Sequence, residues 1–275
     1  MGRSSRRQQD DDGPADRPVL PEHLEVVETD GGLLFRRDGR DQSFVDVTDP
    51  ARLPFDYVRR LADALDVLAP PGEPLRVVHV GGAGLSLPRY LAVTRPRSAQ
   101  TVLEPDEALT AAVRALAPLP ARSGIRVRPV LGRPGLEALA AGERREGADV
   151  VVLDAFDDGR VPADLASGPG LRALAAVLAP HGTALLNVAD EAPFALARDV
   201  LAAVREHLPQ VCVSAEPATL RGRRPGNLVV VASRAPVPVR ALEERARRGG
   251  APYRVLDAAT VSDTLGGGSP RPDPA

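Results

Sequence analysis

The 275 residues carry 35 Lys plus Arg against 37 Asp plus Glu, a formal net charge of −2, so no broad electrostatic pull draws the chain toward nucleic acid or anionic lipid. The length suits one core of about 200 residues with appendages. A single cysteine, Cys212, excludes an intrachain disulfide and any multi-cysteine metal site, and no apolar run reaches the roughly 18 residues of a membrane span. A cytoplasmic protein that binds neither nucleic acid nor membrane is expected.

Residues 1–20 are polar and read as a disordered tail. A small β domain is expected over 21–50: LEVVET and GLLFRR flank Asp30-Gly31-Gly32, and the turn Asp38-Gly39-Arg40 leads into SFVDV, a hairpin or meander. Its exposed edges would be covered in a homodimer. Apolar positions at helical spacing over 54–68 predict a helix, and PPGEP separates that helix from the main core.

The main core, set at 51–265, alternates strand and helix from Leu75. LRVVHV, SAQTVLE, IRVRPV, ADVVVLDAF and GTALLNVA read as strands with a helix after each, and VCVSAE and NLVVVAS close the series. Apolar runs without polar alternation imply a mainly parallel sheet covered on both faces. PATLRGRRPG joins the last two strands without a crossover helix, so that pair is antiparallel. The expectation is an α/β, seven-stranded, doubly wound transferase-type sheet, with a disordered tail over 266–275.

Function in such a sheet sits at the carboxyl ends of the strands, where the strand order reverses. Gly81, Gly82 and Gly84 in VVHVGGAGLSLPRY allow a tight turn, with free amides suited to an anionic or polar ligand. Leu87 stands where the last glycine of a dinucleotide loop belongs, which argues against NAD. The turn reads either as structural or as one wall of a nucleoside pocket. Glu104, twenty-two residues beyond Gly82, is placed to accept ribose hydroxyl hydrogen bonds or to remain a solvated or capping acid. Asp106 is a helix-cap candidate.

Gly132-Arg133-Pro134 would border an adenine. Arg133 accepts no hydrogen bond, so it either stacks on the base or is a solvated turn residue. Asp154, Asp157 and Asp158 in VVLDAFDDGRVP form the densest acidic feature at this edge, suited to holding an amine and accepting its proton. Turns also recruit aspartate for local bonding. Val161-Pro162 begins a candidate flap. His23, His79, His181 and His207 make no metal pattern, so no metal is expected, and Ser86 lacks a nucleophile elbow. Arg221, Arg223 and Arg224 read as a solvated hairpin or an anion contact.

With DGRDQSFVDVTDPARLPFDYVRR upstream, these motifs resemble the spermidine synthase (polyamine aminopropyltransferase) family, in its divergent bacterial branch, over residues 24–235. The resemblance implies a methyltransferase-like, Rossmann-like core that uses S-adenosyl chemistry, with a small amino-terminal β domain engaged in oligomer contacts. It further implies transfer of an aminopropyl group from decarboxylated S-adenosylmethionine to putrescine or a related small amine, without a metal. By that likeness Asp154 is the catalytic acid that receives or directs the amine proton, Asp157 is the second catalytic acid and helps hold the diamine, Gln42 lies close to the substrate, and Glu104 binds the donor ribose; Asp158, next in the same loop, is a further substrate-binding candidate. Two departures stand out. Gly84 replaces an aspartate associated with the donor's amine, and Arg133 occupies the place of an aspartate bordering adenine. Loss of these acids keeps two alternatives open: a transferase using ordinary S-adenosylmethionine on another acceptor, and a noncatalytic member.

Overall fold

The computed structural model describes residues 20–29, 31–142, 147–249 and 252–274. The tail expected over 1–20 lies outside these apart from Leu20, as does Asp30 of the first turn. Strands β1 (Leu24–Thr29), β2 (Gly32–Arg37) and β3 (Arg40–Val45) form an antiparallel meander. The main unit continues as α1 (Asp56–Leu68), β4 (Arg76–Val80), α2 (Ser86–Thr94), β5 (Ala99–Leu103), α3 (Glu107–Leu116), β6 (Ile125–Arg128), α4 (Gly132–Ala141), β7 (Ala148–Leu153), α5 (Gly168–Val177) and β8 (Leu178–Asp190). It closes with α6 (Ala195–Arg205), β9 (Gln210–Ala215), the four-residue α7 (Pro217–Leu220), β10 (Gly226–Ser233), α8 (Val239–Arg248), β11 (Arg254–Leu256) and α9 (Ala258–Leu265).

The large sheet has the order β11-β9-β10-β8-β7-β4-β5-β6. Strands β4 to β8 pair in parallel, and β10 runs antiparallel between β8 and β9. The seven expected strands are all present. An eighth, β11, adds antiparallel to the β9 edge, and its three residues are too short for any period to betray it in the sequence. The strand order reverses at β4 and β7, which opens a crevice at their carboxyl ends.

Continuous apolar strands bury both faces. Val78, Val80, Val151 and Leu153 pack beneath α5 and α6, while Val77, Val150 and Val152 pack beneath α1 and α2. The meander joins the same body, because its alternation turns Leu24, Phe35 and Val45 onto Leu109, Ala112 and Val113 of α3. Fully buried Arg95 donates to the carbonyls of Leu65, Asp66, Ala69 and Pro70, which caps the end of α1.

The carboxyl terminus corrects an expectation. Residues 266–274 run over α5 and α6 rather than standing free. Ser269 N donates to Asp199 Oδ1 at 3.0 Å and Arg271 Nε to Asp199 Oδ2 at 2.8 Å. Gly168 N donates to the Arg271 carbonyl, and Asp273 Oδ1 accepts from Ser167 Oγ and Arg133 Nη1. Low apolar content argued for disorder, yet polar contacts hold this segment.

Candidate active site

The crevice is a cavity of about 640 Å³, within the range of small-molecule sites. Its walls come from the ends of β4, β5 and β7, the start of α4, and the meander, which contributes Gln42 and Ser43.

The glycine loop is tighter than its sequence suggests. Gly81 has φ +94°, and a Cβ there would lie 2.3 Å from the Asp154 carbonyl oxygen, so only glycine lets β4 and β7 end side by side. The sequence implied free amides in this turn, but those of Gly82 and Ala83 are engaged. Both donate to Glu104 Oε2, at 2.9 and 3.1 Å, and Asp106 N donates to Oε1 at 3.0 Å. A buried carboxylate therefore stands where a dinucleotide would put its pyrophosphate, and like charge excludes that ligand. Of the roughly four acceptor directions of a carboxylate, one remains on Oε1, which suits a hydroxyl. Asp106 caps α3 through Leu109 N, and Leu87 is core, packed with Leu61 and Leu91.

Gly84 faces the meander. A Cβ on it would lie 2.6 Å from Ser43 Oγ and 3.1 Å from Val45 Cγ2. Ser43 Oγ in turn hydrogen-bonds Ser86 Oγ at 2.7 Å, and Ser86 donates to the Phe44 carbonyl. The direction an aspartate side chain would take at this position is already filled.

Asp154 lies in the cavity wall at the end of β7. Burial pushes its carboxyl up to about 6, and the hydrogen bond from Asn187 Nδ2 at 2.9 Å opposes that rise only in part. Asn187 is itself fixed, because its Oδ1 accepts from Asn227 Nδ2 at 2.9 Å. Tyr57, also in the wall, has its hydroxyl held well above the usual value by burial and then by the nearby Asp154 charge. Sequence reasoning missed Tyr57, Ser43 and Asn187. An amide side chain inside the apolar run ALLNVA was a visible signal for the last.

Asp157 lines the rim, whereas Asp158 does not border the cavity. Residues 157–160 close on themselves through paired Asp157 and Arg160 backbone hydrogen bonds, with Asp158 and Gly159 at φ +47° and +75°. An Asp-Gly pair suits such a turn, and the Asp158 side chain reaches Arg40 Nη1 at 2.8 Å instead. Asp158, expected at the substrate, is thus engaged by Arg40 and lies outside the residues that line the cavity. Arg133, expected beside the adenine, has its guanidinium engaged by Glu137 Oε1 at 2.6 Å, the Asp164 carbonyl and Asp273, and is not among the residues that line the cavity. In its place Leu131, 62% exposed, and Gly132 border the space expected for adenine.

His79 is buried, bonded to Gln100 Oε1 at 3.0 Å, and burial lowers its pKa to about 4. Among the described residues no three His, Cys, Asp or Glu side chains converge to hold a metal ion, and no helix is long and apolar enough to cross a membrane.

Among solved structures the chain is similar to a probable spermidine synthase from Corynebacterium glutamicum, at 24% identity over 94% of this chain and 98% of that one, with a TM-score of 0.83. It is also similar to the spermidine synthase of Thermotoga maritima, at 17% identity over 90% and 82% with a TM-score of 0.56. Human methyltransferase-like protein 13 in complex with SAH is similar at 20% identity over 77% and 92%, with a TM-score of 0.58. No family model and no curated protein sequence matches the chain. The likeness establishes the fold: a small β-sheet domain ahead of a Rossmann-like sheet of the spermidine synthase and methyltransferase type.

Proposed function

We propose that the cavity binds an S-adenosyl donor with its ribose at Glu104, and that the chain transfers an aminopropyl group from decarboxylated S-adenosylmethionine to putrescine or a related amine. The observation that carries this reading is Asp154, a carboxyl poised at about 6 in the cavity wall and held by Asn187. An acceptor ammonium gives one proton to Asp154, and the freed nitrogen lone pair attacks the propyl carbon. The carbon–sulfur bond breaks, and sulfur keeps the electron pair as a neutral thioether. Asp157 at the rim pairs with the far ammonium of a diamine, Gln42 borders the acceptor, and the Gly81-Gly82 turn forms the wall beside the donor.

Incubation with decarboxylated S-adenosylmethionine and putrescine, then mass spectrometry, tests this. Triamine should appear at a rate that rises as pH passes about 6, where Asp154 ionises. No product with any diamine would sink the reading.

A second reading, transfer from ordinary S-adenosylmethionine, is favoured by one contact. Gly84 packs on Ser43 and offers no acid, so the donor's carboxylate meets no repulsion there. Calorimetry with both donors separates the two, since a clear preference for the decarboxylated form excludes the second.

A further inference from the structure

A second cleft, of about 1080 Å³, opens at the opposite, amino-terminal edge of β4, β5 and β6. It plays no part in the chemistry above. Side chains two apart on a strand share a face, so Arg76 with Val78, Ala99 with Thr101, and Arg126 with Arg128 all border one face of the sheet. Thr101 and Arg126 lie directly opposite in the pairing. Helix α4 covers only the far part of this face, where Gly135 packs on Leu103, and the cleft begins beneath Leu139 and Ala140.

Arg97 and Arg122 complete the rim. Arg76 is engaged by both oxygens of Asp149. Among the described residues no carboxylate pairs with Arg97, Arg122, Arg126 or Arg128, although the chain as a whole is acidic. Arg97 and Arg122 adopt φ of +71° and +62°, a left-handed conformation that costs an ordinary residue energy.

We propose that this cleft binds a soluble polyphosphate-class anion, one carrying several adjacent phosphate groups, through Arg97, Arg122, Arg126 and Arg128. Guanidinium forks match phosphate oxygens in pairs. Four of them spread around one open cleft exceed what a single carboxylate can engage. The chain contains no lysine, so every basic contact here keeps its charge at all working pH values. Among the described residues no aromatic side chain lines the cleft to stack a nucleic-acid base, and none of the exposed large apolar residues that lipid would need borders its rim. A small anion therefore fits better than RNA or a membrane.

Calorimetry at about 0.15 M salt with inorganic tripolyphosphate, adenosine triphosphate, adenosine and citrate tests the proposal on the full chain. Tripolyphosphate lacks the adenosine that the donor cavity would recognise, and loss of its heat in the Arg126/Arg128 variant assigns that heat to this cleft. Saturable binding is expected, weakened about tenfold or more in Arg126→Gln/Arg128→Gln and unchanged in Arg221→Gln/Arg223→Gln on the exposed β9–β10 connection. Tighter binding of adenosine triphosphate than of tripolyphosphate identifies a nucleotide, and equal affinity identifies the phosphate chain alone. Arg97→Gly/Arg122→Gly should weaken binding while raising Tm, a combination that a merely structural role does not produce. No saturable binding, equal loss in the control variant, or binding of a 20-nucleotide RNA without either phosphate compound overturns the proposal.

Discussion

At Asp154 burial favours the neutral acid, and a single amide from Asn187 favours the carboxylate. Because the folded pKa lies above the unfolded one, this group's contribution to stability is complete below about pH 4 and is lost as pH rises through about 6. Asp154→Asn should therefore stabilise the chain by about 3 kcal/mol at pH 8 and leave it unchanged at pH 4. The same substitution should lower transfer by about 10²-fold or more. Denaturation at both pH values and one rate assay check it, and a variant less stable at pH 8 refutes the buried-charge account. Asn187→Ala removes the donor that opposes burial, so the rise in rate should move to higher pH than in the parent. An unshifted pH profile would show that Asn187 does not act on Asp154. The strand-end position of Asp154 was legible in the sequence. Its pKa was not, because the burial that raises it and the Asn187 amide on β8 that opposes the rise, itself held by Asn227 of β10, come from packing far along the chain.

Among the elements, the meander and the carboxyl-terminal segment do more than their composition indicates. Strand β3 fills the space beside Gly84 with Ser43, so Gly84→Asp alone should destabilise the fold. Gly84→Asp/Ser43→Gly should restore stability and shift preference toward the decarboxylated donor. Thermal melts and donor calorimetry test both halves, and a single variant as stable as the parent would show that Ser43 does not exclude the acid. The segment beyond α9 ties Ser167 and Arg133 to Asp273, and Arg133 in turn holds the Asp164 carbonyl beside the cavity. Deleting residues 266–275 should lower Tm by about 2–4 °C and speed amide exchange over residues 162–167, where the sequence had suggested a flap. Exchange unchanged in that stretch would mean that the contacts hold nothing in place.

Over the whole molecule, two bodies that the sequence separates share one interior. Phe35 of the meander is fully buried in a cluster with Leu109 and Val113 of α3. Phe35→Ala should cost about 3 kcal/mol or more and should weaken donor binding, because the meander supplies Gln42 and Ser43 to the cavity. A single denaturant transition is expected, shifted to a lower midpoint with its slope retained. Two separate transitions would show that the small sheet unfolds on its own.

Local patterns in the sequence determined what local physics controls. Unbroken apolar runs required a buried parallel sheet, strand-ending acids lie at the carboxyl edge where the cavity opens, and Asp106 declared a helix start that its bond to Leu109 N bears out. The tertiary structure decided what depends on partners distant in the chain. It turned Glu104 onto the glycine loop, gave Asp158 to Arg40 and Arg133 to Asp273, and placed Asn187 beside Asp154. A charged side chain settles where it finds its best partner and the least desolvation. At this site those partners lie on other strands, in the small sheet, or near the end of the chain, beyond the reach of any local pattern.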